Sequence, residues 1–391
     1  MAFSLGASHE RCADMLKQIS PSRLLEIDAR RICLIKPSAL GDVVQTLPLL
    51  PVLRERFPAA RISWVVSASL APLLEGHPHL DEIISFHRKG AASSGLELLC
   101  ELRQREFDLV FDLQGLLRTG VMTAATRAAI RVGLQSAREG AGLACNCVLP
   151  ESGRRVPAHA RYWRVAEALG LGDREPRTDL ALGPEVQAWA AEGLAGLGRP
   201  VLVIHAGARW VTKRWPVEKF AAVAAKASRR FGAAVVLVGS PDEQPTSDQL
   251  QQVLQRLAPA ASVRNLTGRS TLKQLAAVLQ RADLVLANDS GPMHLAAGLG
   301  RPVVGIFTCT SPLRSGPAGQ QHELPATGLP CGASYRKRCP YRGRKHLACM
   351  DELATERVWQ AVARSMERVV NMGEALEHSS GTGKTVWTRS A

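Results

Sequence analysis

Aromatic residues make up only 5% of this 391-residue chain, and carboxylates fall short of basic residues, 35 against 49. The scarcity of aromatics argues against a single-strand nucleic-acid binder, which stacks bases on aromatic platforms among its basic residues. RNA-module signatures are also missing, so no nucleic-acid partner is expected. No apolar run approaches the roughly 20 residues of a membrane span, and no secretory core follows Met1. The nine cysteines are scattered and include no paired C-x-x-C. That pattern excludes a disulfide framework and points to reduced thiols in the cytoplasm. Two nucleotide fingerprints are absent as well: no G-x-G-x-x-G follows the first apolar strand, and no G-x-x-x-x-G-K-[ST] occurs anywhere.

The net charge of +14 lies mostly in the second half. Residues 1–180 hold 23 basic and 20 acidic residues, and residues 181–391 hold 26 and 15. A basic surface favours polyanions, phosphates or an anionic membrane face, and a solvated loop is the plain alternative for any one cluster. Attachment to a membrane surface fits this balance, and insertion does not.

The hydrophobic pattern predicts two α/β halves. "RICLI", "ARISWVVS" and "REFDLVFD" read as strands separated by helices, and "RPVLVIHAG", "FGAAVVLVGS", "ADLVLAND" and "RPVVGIF" repeat the pattern. Apolar strands alternating with helices indicate βαβ units and parallel sheets. The expected layout is an N-terminal helical extension (1–30), two doubly wound Rossmann-like domains (31–180 and 181–350) facing across a cleft, a C-terminal helix (351–375) and a disordered tail (376–391). A Gly/Pro-rich linker at 171–187 would serve as hinge. Residues 310–347 read as irregular loop, and Leu353, Val358, Val362 and Met366 as the buried stripe of the last helix. In such folds ligands sit at the carboxyl ends of the strands.

Five strand ends carry candidate chemistry. "ANDSGPMH" brings Asp289, Ser290, Gly291, Pro292 and His294 to the start of a helix, where free N–H groups and the helix dipole suit an anion. An ordinary Asp/Ser cap with a core histidine is the competing account. "HAGARWVTKRWP" places Gly207, Thr212 and Lys213 on a loop before a helix starting near Pro216, and so many cations beside a helix N-terminus suggest a bound anion. "VLVGSPDEQ" offers Glu243 to ribose hydroxyls, or simply to its own helix dipole. "KPSALGDVV" presents Ser38, Gly41 and Asp42, the last either a helix cap or a general base. "DLQGLLRTG" adds Gln114 and Arg118. Four arginines and no acidic residue lie between Leu113 and Arg138, a wall suited to an anionic acceptor.

Together "PSALGDVVQTLPLLPVLRERFP", "FDLQGLLRTG", "TKRWP" and "ANDSGPMHLAAGLGRPVVGIF" resemble the ADP-heptose:lipopolysaccharide heptosyltransferases, glycosyltransferase family 9, of GT-B architecture. The resemblance covers about residues 31 to 370. It implies inverting transfer of heptose from ADP-L-glycero-D-manno-heptose to the inner core of lipopolysaccharide, on Kdo-lipid A or a heptosyl acceptor. No cofactor or metal is expected. The implied partners are the nucleotide sugar and an anionic glycolipid, met peripherally at the cytoplasmic face of the inner membrane. Asp42 is then the base, Lys213 the donor-phosphate contact, and Asp289 to His294 the donor motif. Glu243 falls on the ribose position, and Arg118 with Gln114, Ser38 and Gly41 on the acceptor side. Gly207-Ala208 stands where some relatives carry threonines. "HARYWRVAEALGLG" leans toward transfer of the first heptose. Cys331, Cys339, His346 and Cys349 form a weak zinc candidate, since their spacing fits no compact knuckle. A GT-B-like sugar-nucleotide epimerase or hydrolase and an anion- or RNA-binding protein are the competing functions.

Overall fold

The computed structural model describes residues 18–87 and 92–380. Most of the expected N-terminal extension and residues 381–391 of the expected tail lie outside the described residues. The chain divides into two units, one ending at Gly183 and one beginning at Pro184.

The first unit is built on a six-stranded parallel sheet. Its strands are β1 (Arg31–Ile35), β2 (Arg61–Ser67), β3 (Glu82–Phe86), β4 (Leu109–Asp112), β5 (Ile130–Leu134) and β6 (Cys147–Leu149), in the order β3-β2-β1-β4-β5-β6. Ile32 pairs with both Ile62 and Leu109, which places β1 at the centre. After its first residue β1 is buried throughout, as is all of β4. Helices cover both faces of such a sheet, so its strands carry unbroken apolar runs. Leu34, Val43, Leu50, Trp64, Phe111 and Val165 belong to one core, which also takes in Tyr162 from the Ala158–Ala168 helix.

The second unit repeats the plan with five parallel strands, β7 (Val201–His205), β8 (Ala234–Leu237), β9 (Val263–Asn265), β10 (Leu284–Asn288) and β11 (Val303–Ile306). Their order is β11-β10-β7-β8-β9. The helix Val217–Phe231 packs a face of Phe220, Ala221, Val223, Ala224, Ala225 and Ala227, and Gly232 ends it at φ +64°. Small alanines let that helix lie close to the sheet, and a left-handed residue there closes a helix without Cβ strain.

Both sheets reverse their winding at one point. Chain connections leave β1 in one direction and β4 in the other, and β7 and β10 do the same. The loops after those strands diverge and leave a crevice at the carboxyl ends, the general ligand position of doubly wound folds. All four candidate strand ends with the greatest chemical content, after β1, β4, β7 and β10, are these switch-point loops.

The last helix runs Thr355–Ser380, five residues past the expected boundary. Leu353, Val358, Val362 and Met366 are all fully buried in the second unit's core, as the sequence periodicity predicts. Among the described residues no helix is long and apolar enough to cross a membrane. Because this stripe closes the core, Met366→Ala should destabilise the second unit by about 2–5 kcal/mol, read as a lowered midpoint in urea unfolding.

Candidate active site

In the second unit the switch point gathers a set of paired charges. Asn288, at the end of β10, is fully buried. Its amide donates to the Ala206 carbonyl at 2.6 Å, and its carbonyl accepts from Trp215 N–H at 3.2 Å. One side chain thus ties the whole 206–215 loop to β10. Trp215 is anchored further by its indole N–H, 3.0 Å from the Leu353 carbonyl. That fixed loop delivers Lys213, whose ammonium lies 2.6 Å from Asp289 Oδ2 and 4.8 Å above the Trp210 ring. Thr310 donates to the same carboxylate oxygen at 2.6 Å. His294 Nε2 lies 4.0 Å from Asp289 Oδ1.

In this structure the lysine's charge is met by Asp289. The pair is nearly buried, with 17% of the lysine and 5% of the aspartate side chain exposed. Such a pair holds its geometry firmly, because removing either partner strands the other's charge. Thr212, expected to meet donor, gives its hydroxyl to the Arg336 carbonyl at 2.7 Å, and so braces the 206–215 loop against the 336 loop.

Ser290 precedes the Gly291–Gly298 helix but makes no side-chain cap. Its hydroxyl lies 3.1 Å from His205 Nδ1 instead. The account of Ser290 as an ordinary cap therefore does not hold, and the helix-start N–H groups, with Pro292 in the first turn, are not taken by it. Dipole and N–H groups together suit a phosphate there. On its other face His205 Nε2 lies 3.2 Å from Glu243 Oε2. Glu243 also accepts from Ser240 N–H at 2.8 Å. Burial raises the Glu243 carboxyl, but the hydrogen bond and charge of His205 and the Ser240 N–H outweigh it and lower it to about 2. Gly207 serves this carboxylate directly: a Cβ on it would stand 1.7 Å from Glu243 Oε1. His205 is the bridge that sequence reasoning missed, although it ends the quoted strand "VLVIH".

In the first unit Asp42 sits in the first turn of the Leu40–Thr46 helix. Its Oδ2 accepts from Ala39 N–H at 3.1 Å and its Oδ1 from the Tyr162 hydroxyl at 2.7 Å. Lys36, the residue after β1, lies 3.8 Å from Oδ1 and is 2% exposed. Ser38 is half-buried and Gly41 buried beside it. At the end of β4, Asp112 accepts from Gln114 N–H, Gly115 N–H and the Thr119 hydroxyl at 2.9–3.0 Å. These bonds shape the turn that presents Gln114, whose Oε1 is buried without a hydrogen-bond partner, and exposed Arg118. Lys36 and Tyr162 were both missed as site residues. An apolar strand that ends in a lysine was the available signal.

The zinc candidate is corrected. Among the described residues no group of three or more His, Cys, Asp or Glu is arranged to hold a metal ion. His346 Nδ1–H bonds the Tyr341 carbonyl at 3.0 Å, and Cys339 Sγ accepts from Leu347 N–H at 3.3 Å. Cys331, Cys339 and Cys349 line a small pocket with Cys309, Thr212 and Thr308. All eight described cysteines are free thiols.

Glu243 gives this site an acid limit. A carboxyl depressed from 4.5 to about 2 contributes stability that is complete above its unfolded value and lost as pH falls toward 2. Glu243→Gln should lower the unfolding free energy at pH 6 and flatten the stability slope between about pH 4.5 and 2. Urea unfolding of both proteins across that range would measure it.

The sequence pattern of "Glycosyltransferase family 9 (heptosyltransferase)" matches residues 96–345. The chain is similar to the lipopolysaccharide core heptosyltransferase OpsX of Haemophilus influenzae, 26% identical over 74% of this chain and 82% of the relative. Lipopolysaccharide heptosyltransferase 1 of Pseudomonas aeruginosa is 27% identical over 88% of this chain and 98% of its own. Among solved structures, a family 9 glycosyl transferase from Veillonella parvula superposes with a TM-score of 0.73 at 25% identity, covering 88% of this chain and 98% of that one. With two doubly wound units and these motifs at the switch points of both, this chain belongs to glycosyltransferase family 9, the heptosyltransferases.

Proposed function

We propose that the protein transfers heptose from ADP-L-glycero-D-manno-heptose to the inner core of lipopolysaccharide, with inversion at the anomeric carbon. The acceptor is a glycolipid, Kdo-lipid A or a heptosylated form of it. The observation that carries this reading is the Lys213–Asp289 pair beside an uncapped helix start, at a switch point of a family 9 chain.

In this reading an acceptor hydroxyl oxygen attacks the anomeric carbon, and its proton passes to the Asp42 carboxylate. The bond from that carbon to the phosphate oxygen breaks, and its electron pair leaves with ADP. Negative charge grows on the departing pyrophosphate, where Lys213 and the N–H groups at Gly291 and beyond stabilise it. Those fixed donors supply what a divalent cation would otherwise supply. Glu243 accepts hydrogen bonds from the ribose hydroxyls, and Asp289 and His294 line the donor-sugar side. Gln114, Arg118, Ser38 and Gly41 serve the anionic acceptor.

Support for the acceptor class comes from the two relatives named above, both lipopolysaccharide heptosyltransferases. Working on a glycolipid places the enzyme peripherally at the cytoplasmic face of the inner membrane, which suits its net charge of +14.

The deciding experiment follows ADP release from ADP-heptose in EDTA, with and without Kdo-lipid A or heptosylated core. Acceptor-dependent release is expected, and the acceptor that works names the heptose added. Release that ignores acceptor would point to a hydrolase or epimerase instead. Asp42→Ala should lower kcat by about 10²–10⁴ with ADP affinity nearly unchanged. Lys213→Ala should weaken ADP binding roughly 10- to 100-fold and lower turnover with it. Isothermal titration with ADP separates the two.

A further inference from the structure

We propose that Tyr162 and Lys36 are positioning residues that hold the Asp42 carboxylate anionic and fixed in direction, so that it can take the acceptor's proton. The proposal rests on the reading of Asp42 as base.

The geometry is a clamp closed from three elements. Tyr162, from the Ala158–Ala168 helix, donates its hydroxyl to Asp42 Oδ1 at 2.7 Å. Ala39 N–H, at the start of the Leu40–Thr46 helix, binds Oδ2 at 3.1 Å. With both oxygens held, the carboxylate cannot turn about its last torsion without breaking a bond. From the end of β1, Lys36 reaches under the pair, its ammonium 3.8 Å from Oδ1, 4.6 Å from the centre of the Tyr162 ring and 3.0 Å from the Leu113 carbonyl. Asp42 itself keeps 36% of its side chain exposed, so the clamp grips it from the protein side and leaves it a solvent-facing side.

A structural account of these residues alone is incomplete. Tyr162 is 3% and Lys36 2% exposed, and an apolar residue would fill either place without the cost of burying a charge. A buried ammonium persists where it is answered by charge and hydrogen bonds, and the answering group here is the residue proposed to do chemistry. Burial first, then the charge of Asp42, pushes the Tyr162 phenol well above 10, so it remains a donor throughout the working range. Burial lowers the Lys36 ammonium, while Asp42 and Asp112 raise it and Arg161 lowers it. Arg161, 6.0 Å from the Tyr162 ring, and Asp112, at the end of β4, are the other charges facing the clamp.

The sign of the effect on Asp42 follows. A donated hydrogen bond and a neighbouring cation both favour the carboxylate over the acid. Removing either must raise the pH below which the base is lost.

The test is the pH profile of kcat in the full-length enzyme at saturating ADP-heptose and acceptor. Tyr162→Phe keeps the ring and removes one hydroxyl. We expect turnover to fall about tenfold, the acid limb to move to higher pH, and the dissociation constant for ADP to stay the same. Lys36→Met should move the acid limb in the same direction. On an Asp42→Asn background, Tyr162→Phe should cost nothing more, since groups acting as one unit are not additive. An unmoved acid limb together with multiplying losses in the double variant would overturn the clamp while leaving Asp42 as base. Near-normal turnover of Asp42→Asn would instead remove the base reading and the clamp with it.

Discussion

The reversal of strand order in each parallel sheet is the constraint on which the site depends. Adjacent crossovers running in one direction stack their loops side by side, and only where the direction changes do two neighbouring loops part. In the first unit that happens between β1 and β4, and in the second between β7 and β10. Lys36 and Asp42 follow β1, Asp112 ends β4 and Gln114 follows it, Lys213 follows β7, and Asp289 follows β10. Glu243, held by His205 and Ser240 N–H after β8, is the candidate that lies outside these four loops. The chemistry is concentrated where the topology leaves room for it.

Rigidity at those openings is achieved by buried polar side chains rather than by loop packing alone. Asn288 holds the 206–215 loop through three backbone groups, the carbonyls of Ala206 and Gly207 and the N–H of Trp215. Asp112 does the same for the turn after β4 through two N–H groups and a hydroxyl. Burial pushes the Asp112 carboxyl up, and those donors with Lys36 work against it. Buried amides and carboxylates of this kind are stable only when their hydrogen bonds are made. Each therefore enforces one loop shape and dictates where the functional side chain on that loop emerges.

Sequence legibility followed the strength of the local signal. Central strands such as β1, β7 and β10 are continuous apolar runs and were readable, as was the stripe of Leu353, Val358, Val362 and Met366. Strands β6 and β9 have three residues each, and β3 is largely half-exposed; runs so short or mixed carry no period to detect. Motif positions such as Asp42, Lys213 and Asp289 stood out because polar residues follow the ends of apolar strands. Their partners did not. Tyr162 lies 120 positions from Asp42 and Ser290 lies 85 from His205, and nothing local in a sequence marks a pairing across that distance. The cysteine spacing already fitted no compact knuckle; in the structure His346 turns to a backbone carbonyl and Cys331, Cys339 and Cys349 border one small pocket.

The charges at the second switch point bear on the proposed pyrophosphate role of Lys213, a nearly buried lysine. An ammonium has three N–H donors, and Asp289 engages Lys213 through a single oxygen at 2.6 Å. Two donors remain for an anion while the carboxylate keeps the side chain in place. Thr310 binds that same carboxylate oxygen, which draws off part of its charge and weakens its competition with an incoming phosphate. The lysine–aspartate pair is neutral as a unit, so an arriving diphosphate would find no net positive charge from it. In the proposed reading the attraction comes from the helix start, whose N–H groups Ser290 leaves alone because its hydroxyl is turned toward His205. The His205–Ser290 contact thus sets the electrostatics of the site as directly as Lys213 does. By the same contact network His205 fixes Glu243, so one buried imidazole orients both the proposed phosphate end and the proposed ribose end of a nucleotide.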